Sequence, residues 1–339
     1  MSHKKGRQTI IFDNSPSVSG YAAVGSSFEK SGPLGDYFDY IYENPLAGQD
    51  SWEKAESELQ KKAVELAIKK SNFKNDQMDV IFAGDLLNQC TSSTFGIMDY
   101  NIPFCGLYGA CSTMALSLIM AGVFVDNKIA KNAVAVTSSH FCSAERQYRY
   151  PLEYGNQRPP TAQWTATASG CVILSENSGS SVRLKAATIG MVKDLGVTDA
   201  NNMGAAMAPA AASTIETFFK DTGTSPDDYD AVFTGDLGQV GSELLYELTE
   251  KNGLNLKNKH NDCGLLLYDR ETQDVHAGGS GCGCSASVLC THIINNLISK
   301  KYKNILFCAT GALLSPTTVL QGQSIPSIAH LVHFSSIAP

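Results

Sequence analysis

Long apolar runs are missing from this 339-residue sequence. The most apolar stretch, Ala115 to Val125, stops at Asp126 and is too short to cross a bilayer. The first dozen residues, Met1 to Phe12, contain no apolar segment of the secretory type. A soluble chain is expected, one that reaches a membrane only through partners. Basic runs are missing too: no stretch of Lys and Arg exceeds two residues, and the net charge is −7. A nucleic-acid footprint is therefore not expected, nor a strong electrostatic grip on anionic lipid. Tryptophan is scarce, at two residues, and proline is modest, at 12, so no Pro-rich linker divides the chain.

Apolar residues make up 43% and charged residues 17%. That balance excludes a disordered chain, a coiled coil and a collagen-like repeat. The length suits two domains or one large two-lobed fold. Glycine is abundant, at 29 residues, which points to tight turns or close backbone approaches. Ten cysteines are present, several inside apolar stretches (Cys171, Cys290, Cys308), and they read as reduced, buried thiols.

The chain repeats itself. Met78–Leu86 reads MDVIFAGDL and Tyr229–Leu237 reads YDAVFTGDL, with five of nine positions identical at an offset of 151: Asp79/Asp230, Phe82/Phe233, Gly84/Gly235, Asp85/Asp236 and Leu86/Leu237. A second match follows in the same order. Cys111-Ser112 opens one apolar segment and Cys284-Ser285 another; each leads to a Lys-Asn pair, Lys131-Asn132 and Lys303-Asn304, and then to an apolar run. A strand, Gly-Asp, a Cys-Ser helix, Lys-Asn and a second strand thus occur twice. The Ser/Gly/Asn loop Ser175–Ser181 separates the copies, giving an N-terminal half over 1–177 and a C-terminal half over 178–339.

Helical and β-type patterns alternate in both halves, which predicts βαβ units and mainly parallel sheets. Ser51–Lys70 has Ala55, Leu59, Ala63, Leu66 and Ala67 on one face, and Asp50 with Glu53 resembles a capping box. Its counterpart is Ala210–Lys220. The segment after Cys111 is apolar on nearly every face, so it must be covered all round. Burial of this helix and its partner Ala286–Ile298 between two sheets would meet that demand, with Gly122 allowing close helix–helix approach.

Cys111 carries the most chemical information. At a helix N-terminus a thiol meets unpaired N–H groups and the positive end of the dipole, which lowers its pKa. The same N–H groups can hold a carbonyl oxygen or a carboxylate. Cys111 is thus a nucleophile, part of an anion-binding floor with Ser112 and Thr113, or a packed core cysteine. A catalytic thiol needs a base. Of seven histidines, His140, at the end of the strand after this helix, and His276, before the Gly-rich stretch 278–283, are best placed to reach a shared crevice. That stretch lacks both the P-loop and the dinucleotide signature, and Cys282-Gly283-Cys284 lacks the second ligand pair a zinc site needs. It reads as a close-approach turn between the halves, and no cofactor or metal is expected. Asp85 and Asp236, at equivalent ends of the two repeats, would line the same crevice. The segment Ser143–Trp164 is dense in Arg146, Arg149, Arg158, Tyr148, Tyr150, Tyr154 and Trp164. It offers bidentate carboxylate recognition and ring stacking, or alternatively a contact network with Glu145 and Glu153.

A duplicated α/β chain with GACSTM at Gly109–Met114 heading a buried helix resembles the thiolase/ketoacyl-synthase fold. The resemblance implies a duplicated five-layer αβαβα architecture, a homodimer, and Cys111 as the acyl-carrying nucleophile. Other positions depart from that pattern. The turn Thr234-Gly235-Asp236 carries no His, Ser280-Gly281 stands where a thiolase has His, and the place of the condensing-enzyme Asn falls near Cys282. The resemblance therefore implies a pocket kept without its proton-transfer partners, with a Cys-dependent acyltransferase of the ketoacyl-synthase type as the alternative and a membrane-complex scaffold as a third reading.

Ser138–Gly170 (SSHFCSAERQYRYPLEYGNQRPPTAQWTATASG), together with LYGACSTM, VFTGDLG and SIPSIAH, is similar to the stage V sporulation AD family of endospore formers. That resemblance implies a non-enzymatic role in spore formation. Its expected ligand is dipicolinic acid (pyridine-2,6-dicarboxylic acid), alone or as its calcium complex, taken up through a channel complex of the spore inner membrane. The other subunits of that complex are the expected partners. The expected ligand-binding residues are Cys111, Ser112, Thr113, His140, Asp85 and Asp236, with Arg146 beside them.

Overall fold

The computed structural model describes residues 1–148, 157–176 and 178–337. Arg149, Tyr150, Glu153 and Tyr154 lie outside the described residues. The strands Ser17–Ser26 (β1), Val80–Gly84 (β2), Phe104–Gly106 (β3), Asn132–Ser139 (β4) and Ala168–Ser175 (β5) come from the first half. Val182–Thr188 (β6), Ala231–Thr234 (β7), His260–Asp262 (β8), Asn304–Ala312 (β9) and Ser327–Ser336 (β10) come from the second. The first set runs in the order β3-β2-β4-β5-β1 and the second in the order β8-β7-β9-β10-β6. In each, the first three strands are mutually parallel and the fourth and fifth join antiparallel. The β6–β1 pairing, Arg183 opposite Ser17, links the two sets into one connected sheet, and three short strands at its margins bring the total to thirteen.

The repeated residues explain themselves in hydrogen bonds. The Asp79 carboxylate accepts from the backbone N–H groups of Lys131 and Asn132, at 2.7 and 3.0 Å, pinning the start of β4 beside β2. The Asp230 carboxylate accepts from Lys303 and Asn304 in the same way, at 2.5 and 2.8 Å. An Asp before one strand and Lys-Asn before its neighbour are thus one device used twice: the carboxylate satisfies two amides that open a parallel strand.

Helix α1 (Trp52–Ser71) and helix α2 (Thr91–Ile97) cover the outer face of the first set of strands. The cap of α1 is Ser51, whose hydroxyl accepts from the Lys54 amide, rather than Asp50 of the expected capping box; Asp50 instead pairs with the Lys54 ammonium. Helix α3 (Thr113–Asp126) lies in the middle, packed against β2 and β4 on one side and β9 and β10 on the other. That placement meets the demand of a helix apolar all round. Phe124 packs edge-on against Phe82 there. Gly122 approaches a strand rather than a helix: a Cβ on it would stand 2.6 Å from the Leu184 side chain. Helix α4 (Phe141–Tyr148) follows β4.

Helix α5 (Met203–Thr222) extends beyond the expected Ala210–Lys220 because the Asn202 side chain caps it and Pro209 falls early within it. It covers the outer face of the second set of strands with α6 (Gly238–Lys251). Helix α7 (Cys282–Val288) continues through a π turn, Leu289–Ile293, to Ile298 and lies beside α3 between the sheets. The molecule is therefore a five-layer αβαβα arrangement. Its central core joins residues of α3, α7 and both sets of strands, and a separate apolar cluster lies under each outer helical layer. All ten cysteines are free thiols.

Candidate functional site

A two-residue ribbon lies between the halves. Trp164–Thr165 pairs in parallel with Gly279–Ser280, Thr165 opposite Ser280. The Gly-rich segment that follows makes this contact feasible. Gly281 has φ +105°, and a Cβ there would sit 2.6 Å from the Ser139 hydroxyl; one on Gly283 would sit 2.2 Å from the Ala168 carbonyl oxygen. The close-approach turn expected from the glycines is what places Ser280 opposite Cys111.

Cys111 sits in the turn that enters α3, behind Ala110 with φ +49°. Its sulfur is 3.9 Å from the Ser280 hydroxyl. That hydroxyl donates to the Asp236 carboxylate at 3.0 Å, which also accepts from the Gly281 N–H at 2.9 Å and the Thr310 hydroxyl at 2.7 Å. Thiol, hydroxyl and carboxylate thus form one cluster beside a small cavity. Asp236 is fully buried, and burial pushes its carboxyl above the ordinary value while Thr310, Gly281, Cys111 and Ser280 hold it down.

The expected low-pKa thiol is not found. Burial pushes the Cys111 thiol well above its ordinary value, and the charge of Asp236 pushes it further. The helix N-terminus does not compensate because its polar groups are already used locally. The Ser112 N–H and hydroxyl both donate to the Gly109 carbonyl, at 3.0 and 2.6 Å, and the Thr113 N–H and hydroxyl both donate to the Ala110 carbonyl, at 3.2 and 2.6 Å. Ser112 and Thr113 therefore tie the turn together and do not line the cavity.

The cavity beside Cys111 has a volume of about 30 Å³. Thr165, Ser280 and Ala110 stand around the thiol, Leu86 and Ala144 form one wall, and Met203, Ala312 and Leu314 come from the second half. Tyr108 and Tyr148 also line it: their hydroxyls are 2.9 Å apart, and Tyr148 donates to the Leu86 carbonyl. Glu145, buried, also lines it. Among the described residues no Lys, Arg or His lines this cavity. Beside it, a groove of about 250 Å³ lined by Ala200, Pro316, Val319 and Leu320 shares Tyr148 and Leu314 with it.

The other expected residues lie elsewhere. His140 is buried, and both ring nitrogens are engaged: Nε2 donates to the Pro45 carbonyl at 2.9 Å, while Nδ1 accepts from the Cys142 N–H at 3.1 Å. It is a neutral ring whose pKa burial lowers. Asp85 is fully buried but accepts from the Leu87 and Ser93 N–H groups, each at 2.8 Å, and from the Ser93 hydroxyl at 2.7 Å, fastening the start of α2. Its neighbour Glu56 is pushed well above the ordinary carboxylate range by burial and by the charge of Asp85. Arg146 is exposed, pairs with Glu53 and lies over the Trp52 ring, facing a separate surface groove. His276 lies with its Nε2 3.2 Å from the Asp274 carboxylate, outside the cavity.

The structure therefore brings Cys111 and Asp236 together, through Ser280, and leaves Ser112, Thr113, His140, Asp85 and Arg146 outside. Sequence reasoning missed Ser280, Thr165 and Tyr108 as site residues, and offered Tyr148 only for ring stacking. The departure at Ser280-Gly281 was the one available signal. Among the described residues no cluster of His, Cys, Asp and Glu has the form of a metal site.

Solved structures share the architecture. The 3-oxoacyl-[acyl-carrier-protein] synthase III of Aquifex aeolicus superimposes with a TM-score of 0.56 at 11% identity, over 94% of this chain and 99% of that one. OleA of Xanthomonas campestris, crystallised with cerulenin, superimposes with a TM-score of 0.61 at 12% identity, over 96% and 97%. At such identities the likeness shows the fold alone. A Bacillus subtilis protein described as stage V sporulation protein AD is 46% identical over 329 residues, 97% of each chain. With residues 6–335 also matching that family as a whole, the chain belongs to the stage V sporulation protein AD (SpoVAD) family.

Proposed function

We propose that this chain is a non-catalytic thiolase-fold binding protein of spore formation, with halves over 1–177 and 178–339. Its ligand on this reading is dipicolinate, free or with calcium, and its task is to assist uptake of that ligand through a channel complex of the spore inner membrane. The observation that carries the reading is the setting of the Cys111 thiol. It occupies the head of the central helix of a condensing-enzyme fold, yet burial and the neighbouring Asp236 carboxylate raise its pKa. A thiol so held is a poor nucleophile. The chamber around it is kept, with a tyrosine pair as its door.

The chamber as it stands holds little more than a water or two. Dipicolinate entry therefore requires Tyr148 to swing away from Tyr108, joining the chamber to the outer groove. Asp236 disfavours a bare dianion at close range, and a bound Ca²⁺ would reverse that effect.

A second copy of the chain covers β3 on this reading. All three residues of that edge strand are exposed, and Phe95, Met98, Phe104 and Tyr108 expose apolar surface around it. Among the described residues no helix is long and apolar enough to cross a membrane, so contact with the membrane is assigned to partner subunits.

Calorimetry with dipicolinate, with and without Ca²⁺, tests the binding reading; saturable heat that weakens in Cys111→Trp, which fills the chamber, is expected. Intact-mass analysis after incubation with acetyl- or malonyl-coenzyme A tests the acyltransferase alternative. An adduct on Cys111 would replace the binding reading with that one, and blank results in both would leave the scaffold.

A further inference from the structure

The ribbon strand Trp164–Thr165 has two faces. Thr165 faces the Cys111 chamber, and strand alternation sends Trp164 to the opposite side. There the indole lies flat on Phe141, with ring centroids 3.7 Å apart and planes 10° apart. The Arg158 guanidinium carbon sits 4.9 Å from the indole centroid. Phe28 leans against the same ring at 4.6 Å. This is a rigid aromatic and cationic assembly built from segments far apart in the chain.

Its polar groups do not balance. One arm of Arg158, Nη2, donates to the Asp274 carbonyl and pairs with the Asp274 carboxylate at 3.1 Å. Asp274 also receives His276 at 3.2 Å. The other arm, Nη1, is buried and has no hydrogen-bond partner among the described residues, and neither has the buried indole Nε1 of Trp164. Buried donors are nearly always satisfied, so two orphans on touching side chains call for an explanation. Both are donors, and a guanidinium and an indole carry no acceptor at all. The partner they ask for is an acceptor. A carboxylate is such a group, and its two oxygens can take one donor each.

We infer that Arg158 and Trp164 form a binding site for a small carboxylate, on the side of the ribbon opposite Cys111. Trp164 is already in contact with Phe141 and Arg158, so the ligand meets the edge of the indole rather than stacking on its face. The site recognises the carboxylate group and is tolerant of what carries it. It is separate from the Cys111 chamber and stands whether or not that chamber binds dipicolinate. Because Trp164 and Thr165 are consecutive in one strand, and Thr165 is paired with Ser280, occupancy here also bears on the wall of the chamber.

The two tryptophans make the test direct. Trp52→Phe leaves Trp164 as the sole indole. Its emission is followed while pyridine-2-carboxylate, and separately the neutral pyridine-2-carboxamide, is added. The site predicts a saturable change with the carboxylate and none with the amide. Arg158→Gln and Arg158→Lys, each in the Trp52→Phe background, should weaken the carboxylate response by about tenfold or more, since the charge-assisted fork is lost in both and the Lys variant keeps the charge and the fold. Cys111→Trp cannot serve here because it adds an indole, so Cys111→Leu is the control, and it should leave the response unchanged. No saturable change, equal responses to acid and amide, or a response that survives both Arg158 variants would each overturn the site. A response abolished by Cys111→Leu but not by the Arg158 variants would assign the carboxylate to the chamber and overturn it too.

Discussion

Replacing Asp236 by Asn removes one negative charge without changing shape. The carboxylate neighbours the Cys111 thiol, and both meet Ser280: 3.9 Å separates the sulfur from Ser280 Oγ, and 3.0 Å separates that oxygen from Asp236. The two charges are thus at most about 7 Å apart. With an effective dielectric of about 20, a unit charge at that distance costs a thiolate about 2.4 kcal/mol, a factor of about fifty in its equilibrium. Asp236→Asn should therefore raise the thiolate fraction of Cys111 about fifty-fold wherever pH lies above the carboxyl's own raised pKa and below that of the thiol. Both hydroxyl partners of Asp236, Ser280 and Thr310, can rotate to accept from the new amide, so the fold should survive. The assay is alkylation by iodoacetamide, read on the Cys111 peptide by mass spectrometry across a pH series. Access past the tyrosine pair is common to both proteins, so the ratio of rates reports the thiol itself. A Cys111 rate that is unchanged or slower in the variant, with the other cysteines unaltered, would refute the electrostatic reasoning.

Three further outcomes follow from packing and titration. Gly283→Ala would put a Cβ 2.2 Å from the Ala168 carbonyl oxygen and 2.6 Å from the Ser139 hydroxyl, and should lower stability by about 1–3 kcal/mol in urea unfolding. Leu118→Ala, in the fully buried central helix, should cost about 2–5 kcal/mol by the same measurement. His330 is 4% exposed, its Nδ1 accepts from the Gly190 N–H at 3.2 Å, and burial lowers its pKa to about 4. The folded value lies below the unfolded one, so the unfolded state takes the proton first. Stability from this residue is present above about pH 6.5 and is lost as pH falls toward 4, by up to about 3 kcal/mol. His330→Asn keeps an acceptor and should lose correspondingly less stability between pH 7 and pH 4.5; parallel pH profiles would contradict this.

The duplication was legible because its carriers are short and local. Asp79 and Asp230 each grip a Lys-Asn pair, so a carboxylate and two amides leave the same mark twice in the sequence. The all-apolar helix after Cys111 likewise announced burial between two sheets. The edge strand His260–Asp262 was hidden, because a three-residue strand with polar ends has no periodicity to read. The chamber was harder still. Its walls come from the end of β2, the turn before α3, from α4, the ribbon, the start of α5 and the end of β9, and no spacing rule joins these. His140 shows the same limit from the other side. Chain order places it near the crevice, but one backbone carbonyl and one amide claim its two nitrogens, and such partners leave no signature in the side chains. The equivalence of Asp85 and Asp236 in the repeat also misleads, since the first caps the start of a helix while the second reaches the ribbon.

A crystal soaked with dipicolinate and calcium tests the account at its centre. The account predicts the pyridine ring inside an enlarged chamber against Cys111 and Ser280, with the Tyr108 and Tyr148 hydroxyls parted. A chamber still closed and empty, in crystals where dipicolinate occupies some other part of the molecule at full strength, would contradict it.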